Sequence, residues 1–319
     1  MTDSRSLDSI RIAVVGAGGV GGYFGGKLAS AGIDTLFIAR GATLAALRKD
    51  GLRVDSIEGD FTVAPVNATD DPAGAGPVDA VLFATKAWQI PEAADRVRPL
   101  MGRDTVAVPL ENGMEAPEQL ARILGREHVF GGLCGIVSYI VAPGHIRHAA
   151  ISPFVMFGEI DNRRTQRAER LLRAFERAGV RAEIPEDIHR SMWSKFLFIT
   201  PMSAIGALTR VPIGTWRAAA QTRALAVGML REMVSVAAAR GVALDEEAVD
   251  RTMGRYEGME AGSTSSLQRD IMEGRPSELD AQLGAVVRMG REAGVPTPLA
   301  GTLYALLVPQ ERNARNPVL

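Results

Sequence analysis

Residues Ile10–Arg40 read IRIAVVGAGGVGGYFGGKLASAGIDTLFIAR. An apolar run, Ile10, Ile12, Ala13, Val14 and Val15, leads straight into Gly16-Ala17-Gly18-Gly19-Val20-Gly21. A helical pattern carrying Val20, Phe24, Leu28 and Ala31 follows, and a second extended run, Asp34–Ala39, closes the unit. Strand, glycine loop, helix and strand together form the context in which a G-x-G-x-x-G spacing carries chemistry. Gly16 permits the tight turn, Gly18 lets backbone approach a pyrophosphate with no Cβ in the way, and Gly21 lets helix and strand pack closely. The free N–H groups at the helix start then face the phosphates. Gly16, Ala17, Gly18, Gly19, Val20 and Gly21 are therefore expected to bind a dinucleotide.

The end of the second strand selects among dinucleotides. An NAD site usually carries Asp or Glu there for the ribose hydroxyls, whereas this chain reads Phe37-Ile38-Ala39-Arg40-Gly41. A guanidinium binds a 2′-phosphate through paired hydrogen bonds and stacks on adenine, while a carboxylate repels it. Arg40 therefore favours NADPH/NADP+ as cofactor, the plain alternative being a solvated surface arginine.

Around this unit, bulk properties narrow the class. A chain of 319 residues that is 46% hydrophobic can bury sizeable cores, and its length fits two domains. The net charge of −1, with no sustained basic run, argues against nucleic acid as a partner. Nowhere do about 18 apolar residues run uninterrupted, and Met1–Ser9 is polar without a signal core, so no membrane partner and a cytoplasmic location are expected. The single cysteine, Cys134, excludes an internal disulfide and lies in an apolar stretch, as a packed core thiol does. No metal is expected.

Strand and helix signals alternate to about residue 185. After a helix at Thr43–Asp50, the runs Leu52–Ile57 and Asp60–Val66 join at Glu58-Gly59 as a hairpin. Val78–Ala84 has the near-continuous apolar character of a parallel strand buried on both faces, and Thr85-Lys86 closes it. A helix at Trp88–Val97 and a strand at Thr105–Pro109 follow, the latter running into Glu111-Asn112-Gly113. Ligands bind beyond the carboxyl ends of parallel strands, so the glycine loop, Arg40, Lys86 and Asn112 should border one crevice. Further strands are expected at Val137–Val141, Ile146–Ala150 and Phe154–Phe157, with a turn at Pro143-Gly144. Arg163–Ala178 and everything after Pro185 carry a period near 3.6, with helices at Asp187–Ile199, Gln221–Arg240, Asp245–Tyr256, Ser277–Ala293 and Gly301–Leu307. The fold class is α/β, a Rossmann-type dinucleotide-binding domain over 1–185 followed by an all-helical domain over 186–319. The Met- and Ala-rich segment Ala224–Ala239 fits an internal core before a dimer face, and a monomer or a homodimer is open.

The second domain holds candidates for chemistry. Trp193-Ser194-Lys195-Phe196-Leu197-Phe198 places one lysine in an apolar helix segment, where desolvation would lower its pKa and make it a proton donor near neutrality. A lysine snorkelling to solvent is the alternative. The hydroxyl-rich run Ser263–Ser266 is followed, after Gly274-Arg275-Pro276, by Ser277-Glu278-Leu279-Asp280. Ser277 with Asp280 at its third position reads as an approximate capping box, which leaves Ser266 and Glu278 unaccounted for.

These pieces, in this order, resemble the ketopantoate reductase (2-dehydropantoate 2-reductase) family over nearly the whole chain, from Arg11 to about Gln310. The matching residues are the glycine loop, Arg40, Thr85-Lys86-Ala87, Glu111-Asn112-Gly113, Trp193-Ser194-Lys195, Ser265-Ser266, Glu278-Leu279-Asp280 and Gly294–Pro298. The resemblance implies an NADPH-dependent reduction of a small-molecule 2-oxo acid, most simply 2-dehydropantoate to pantoate. It implies Lys195 as the general acid that protonates the carbonyl oxygen. Ser266 would bind the substrate carboxylate, Glu278 a substrate hydroxyl beside the cofactor, and Lys86 and Asn112 would position cofactor and substrate.

The match departs from the family pattern at three positions. Family members carry asparagines four and eight residues after the lysine, on one helix face; this chain has Ile199 and Ser203. Isoleucine makes no hydrogen bond, which points toward a different, more apolar 2-oxo or hydroxy acid. Glu111 replaces a frequent glutamine and adds a negative charge beside the cofactor region. A non-catalytic NADP(H) sensor is a third reading, disfavoured by the presence of Lys195.

Overall fold

The computed structural model describes residues 9–316, so the polar stretch read at Met1–Ser9 lies, up to Asp8, outside the described residues. Strand β1 (Arg11–Val15), helix α1 (Gly19–Ser30) and strand β2 (Asp34–Ile38) form the first unit of the chain, with β1 and β2 parallel and Val14 opposite Phe37. There follow α2 (Gly41–Asp50), β3 (Leu52–Ser56), β4 (Phe61–Val63), β5 (Ala68–Thr69), β6 (Val78–Phe83), α3 (Ile90–Val97) and β7 (Met101–Pro109). After these come α4 (Ala116–Leu124), β8 (Phe130–Ala142), β9 (His145–Glu159), α5 (Gln166–Arg177) and β10 (Arg181–Glu183).

Five strands in the order β5-β2-β1-β6-β7 make one wholly parallel sheet. Along β1 the side chains alternate between two apolar clusters, Ile12 and Val14 entering one, Ala13 and Val15 the other. The first cluster receives Phe24 and Leu28 of α1 with Leu171 and Phe175 of α5. The second receives Ile90, Ala94 and Val97 of α3 with Leu120 of α4. A sheet covered on both faces in this way needs largely apolar strands, as β6 supplies with Asp79 its one charged residue. Cys134 is buried in the first cluster, as a core thiol.

The extended runs after residue 129 build a second sheet. β8 and β9 form a long antiparallel hairpin, β9 pairs in parallel with β3 and β10, and β3 pairs antiparallel with β4, so the hairpin expected around Glu58-Gly59 lies here. The two strands expected at Ile146–Ala150 and Phe154–Phe157 are one strand. Its pattern is broken locally by register shifts against β8 and by Ile151, whose φ of 56° is left-handed.

The remainder is helical: α6 (Ile188–Thr209), α7 (Ile213–Ala218), α8 (Ala220–Ala239), α9 (Glu246–Glu257), α10 (Ser266–Met272), a π-helical turn at Asp280–Gly284, α11 (Ala285–Glu292) and α12 (Pro298–Arg315). α6 continues through Pro201 well past the expected Ile199. α8 buries Ala226, Met229, Leu230, Met233, Val236 and Ala237, so its methionine-rich face is core. The expected capping box at Ser277 does not form: the Ser277 N–H and hydroxyl both donate to Glu311, and Asp280 turns to Arg288 and Tyr304. By Cα proximity the residues up to Glu111 group with Ala116–Ile188, and Asn112–Glu115 group with the residues from His189 onward. No described helix is long and apolar enough to cross a membrane.

Candidate active site

In the first unit, the glycine loop joins β1 to α1 with Gly18 as the N-cap of α1. A Cβ on Gly21 would stand 1.9 Å from the Gly16 carbonyl oxygen, so no other residue fits. A Cβ on Gly18 would meet only the Ile140 Cδ1, at 3.9 Å. Gly21 is thus required by the protein's own packing, whereas Gly18 leaves a face open where a pyrophosphate can approach the helix N–H groups. This is the fit expected of a dinucleotide loop.

Arg40 caps α2 at the end of β2, and its Nη1 donates to Glu92 Oε1 at 2.6 Å. Both side chains are more than half exposed, at 54% and 58%, so the pair contributes at most about 1 kcal/mol and yields readily to a dianionic phosphate. Lys86 follows β6, with its ammonium 5.9 Å from the centre of the Trp88 ring.

Glu111 is largely buried and its carboxylate is consumed within the sheet. Its Oε1 accepts from the Thr85 N–H and hydroxyl at 3.1 and 3.0 Å, and its Oε2 from the Leu110 N–H at 3.1 Å. The charge read beside the cofactor region therefore ties the ends of β6 and β7 together; glutamine there offers one acceptor oxygen where the carboxylate offers two.

In the second unit, Asn112 Nδ2 donates to Glu278 Oε2 at 3.2 Å across a separation of 166 residues. Glu278 is only 7% exposed. Lys195 is partly buried on α6, and its ammonium makes no ion pair among the described residues. Ile199 is likewise partly buried, but Ser203, two turns on from Lys195, is fully enclosed and its hydroxyl has no partner among the described residues. Ser265 caps α10 by accepting from the Gln268 N–H at 3.0 Å, which leaves Ser266, the first helical residue, partly exposed and free of a capping duty.

Four further residues of this unit escape sequence reading. Arg288 binds Glu115 and Asp280, Tyr304 donates to Asp280 at 2.7 Å, and Gln282 is fully buried with neither side-chain polar atom partnered among the described residues. Arg288 lies eight residues after Asp280, a helical spacing visible in sequence, whereas Glu115 carries no such signal. Among the described residues no group of three or more His, Cys, Asp and Glu could hold a metal ion.

Residues 12–162 match the family described as ketopantoate reductase PanE/ApbA, and residues 187–311 match the C-terminal part of the same family. The chain is 32% identical to the uncharacterized oxidoreductase YkpB of Bacillus subtilis over 302 residues, covering 93% of this chain and 98% of the relative. It is 32% identical to 2-dehydropantoate 2-reductase of Mesorhizobium japonicum over 319 residues, covering 93% and 97%. The crystal structure of 2-dehydropantoate 2-reductase from Geobacter metallireducens GS-15 superposes with a TM-score of 0.87 at 32% identity, covering 94% of this chain and 99% of that one.

Proposed function

Since the chain belongs to the ketopantoate reductase family, NADPH-dependent oxidoreductases acting on a CH–OH group, we propose that it reduces a 2-oxo acid to the 2-hydroxy acid, most simply 2-dehydropantoate to pantoate, with Lys195 as general acid. The observation that carries the reading is the Asn112–Glu278 hydrogen bond, which joins, across 166 residues, two side chains that the family resemblance implies as ligands of substrate and cofactor. When bound, NADPH supplies the hydride. Gly16, Ala17, Gly18, Gly19, Val20 and Gly21 hold its pyrophosphate on the α1 N–H groups, and Arg40 takes the 2′-phosphate in exchange for Glu92.

As the ketone carbon is reduced, negative charge grows on its oxygen. Lys195, with no competing carboxylate among the described residues, places a proton from Nζ on that oxygen and leaves as the neutral amine, which solvent recharges. Its positive charge also draws in the substrate carboxylate, for which the Ser266 hydroxyl is the second ligand. Asn112 and Glu278 orient the substrate hydroxyl and the nicotinamide ribose, and Lys86 adds a further cation for the anionic ligands.

A second reading keeps the chemistry and changes the acid. Ile199 presents a branched alkyl group on the Lys195 face, and the Ser203 hydroxyl is enclosed, so that face offers less hydrogen bonding than a pair of asparagines. Both readings are tested by following NADPH absorbance with ketopantoate and with 2-oxo acids lacking its hydroxyl. Efficient turnover of ketopantoate supports the first; preference for an acid without the hydroxyl supports the second. NADPH binding without turnover of any 2-oxo acid overturns both in favour of a sensor.

A further inference from the structure

The four residues Asn112–Glu115 group with the helical unit although their chain neighbours on both sides, Glu111 and Ala116, group with the first. A segment this short has little surface to bury, and specific contacts hold it. Gly113 adopts a φ of +117°, and a Cβ there would stand 2.6 Å from the Ala281 carbonyl oxygen, so the segment runs directly against the π-helical turn. Met114 packs against the larger apolar cluster of the unit. Glu115 accepts two parallel hydrogen bonds from Arg288, Nε to Oε1 at 2.9 Å and Nη2 to Oε2 at 2.7 Å.

The same guanidinium reaches the turn itself. Arg288 Nη1 donates to Asp280 Oδ1 and Nη2 to the Asp280 carbonyl, both at 2.9 Å. Asp280 opens the turn two residues after Glu278, and its Oδ1 is also held by the Tyr304 hydroxyl at 2.7 Å. One planar fork thus binds, on one side, the segment that carries Asn112 and, on the other, the turn that follows Glu278. Glu115 and Arg288 are only 26% and 32% exposed, so the Glu115 arm of the fork is sheltered from the screening that weakens surface pairs, whereas Asp280 is 61% exposed.

We propose that Arg288 is a positioning residue of the reductase, clamping Glu115 and Asp280 so that the Asn112 amide is held against the Glu278 carboxylate in the geometry that receives nicotinamide and substrate. The proposal rests on the reading that Asn112 and Glu278 hold these ligands. Arg288 acts through them and touches neither ligand. A π-turn immediately beyond a ligand-holding glutamate is a local departure from α-helical bonding of the kind that collects at functional sites, and Arg288 fixes where that departure falls.

The test is a double-mutant cycle on the full chain between Arg288→Gln and Asn112→Ala, two residues with no hydrogen bond between them. The readouts are the NADPH dissociation constant from nicotinamide fluorescence, and KM and kcat with the best 2-oxo acid. The expected result is that Arg288→Gln weakens NADPH binding or raises KM about tenfold, and that the same change in the Asn112→Ala background has almost no effect. Arg288→Lys should recover little, since an ammonium cannot supply the two-sided fork. If the two single effects add, Arg288 serves stability alone and the proposal falls; it falls equally if Asn112→Ala changes neither constant. Should Arg288→Gln not fold, Glu115→Gln, which keeps shape and one acceptor, replaces it in the cycle with the same expected coupling. The fluorescence arm needs no turnover, so wild-type protein that binds NADPH but reduces no 2-oxo acid would sink the proposed reaction while the clamp is still judged by the cycle.

Discussion

Tyr256 donates its hydroxyl to the Phe198 carbonyl at 2.7 Å, with the Leu197 carbonyl 3.4 Å away, at the place where Pro201 breaks the hydrogen-bond ladder of α6. Proline has no N–H for the carbonyl four residues back, and its ring pushes that turn open. A fully buried tyrosine from α9 fills the gap. The turn so repaired is the one that follows Lys195, so helix stability and the candidate general acid meet here. Burial drives the Tyr256 phenol far above its ordinary pKa, which keeps it a donor throughout the accessible pH range. Tyr256→Phe is expected to cost about 1–3 kcal/mol by orphaning a buried carbonyl. In a Pro201→Ala background the new N–H serves Leu197 and the cost should shrink; chemical denaturation of the four proteins measures it, and an equal cost in both backgrounds would refute the repair.

Lys195→Ala should lower turnover about 10²–10⁴-fold and leave NADPH affinity nearly unchanged, because a general acid acts on the developing alkoxide and not on the cofactor's phosphates. Single-turnover rates with fluorescence titration separate the two. Unchanged turnover would remove Lys195 from the chemistry.

Arg40→Asp should weaken NADPH binding far more than NADH binding. Glu92→Gln should leave NADPH binding equal or tighter, since it releases Arg40 from an exposed salt bridge of 2.6 Å. Titration of each variant with both dinucleotides tests this. Equal weakening of NADH and NADPH by Arg40→Asp would show that the guanidinium does not read the 2′-phosphate.

Asp280 carries the pH dependence of the clamp. Burial alone would raise its pKa, but hydrogen bonds from Arg288 and Tyr304 outweigh that and hold it below the ordinary carboxylate range. A folded pKa below the unfolded one adds stability in full above about pH 4, and that stability is lost as pH falls through the folded value. The Tm deficit of Asp280→Asn relative to wild type should therefore be constant from neutrality to about pH 5 and shrink below about pH 4. A deficit that does not change with pH would place the effect in packing.

The part of the site that was legible in sequence is local. The glycine loop lies between β1 and β2 within one contiguous stretch, and each glycine answers to neighbours a few residues away, so spacing alone located it. Lys195 stands out in the sequence as a lone charge in an apolar helical pattern, while its role as general acid rests on the family resemblance. The capping box at Ser277 was misread because Glu311, 34 residues on, competes for the same hydroxyl and N–H. Glu111 looked like a free charge because Thr85, 26 residues back, gave no sign of donating to it.

By itself the sequence determined the α/β character of the first half, the helical second half, the glycine loop between β1 and α1 and the family, because periodicity and spacing encode interactions that close over short chain distances. Only tertiary structure decided that β8 and β9 leave the parallel sheet for a second one, that Ser203 is enclosed, and that Asn112 meets Glu278. It also decided that Arg288 reaches Glu115 across 173 residues. Pairings at such range depend on how whole elements pack, and no local pattern in the chain records which distant carboxylate a given arginine will find.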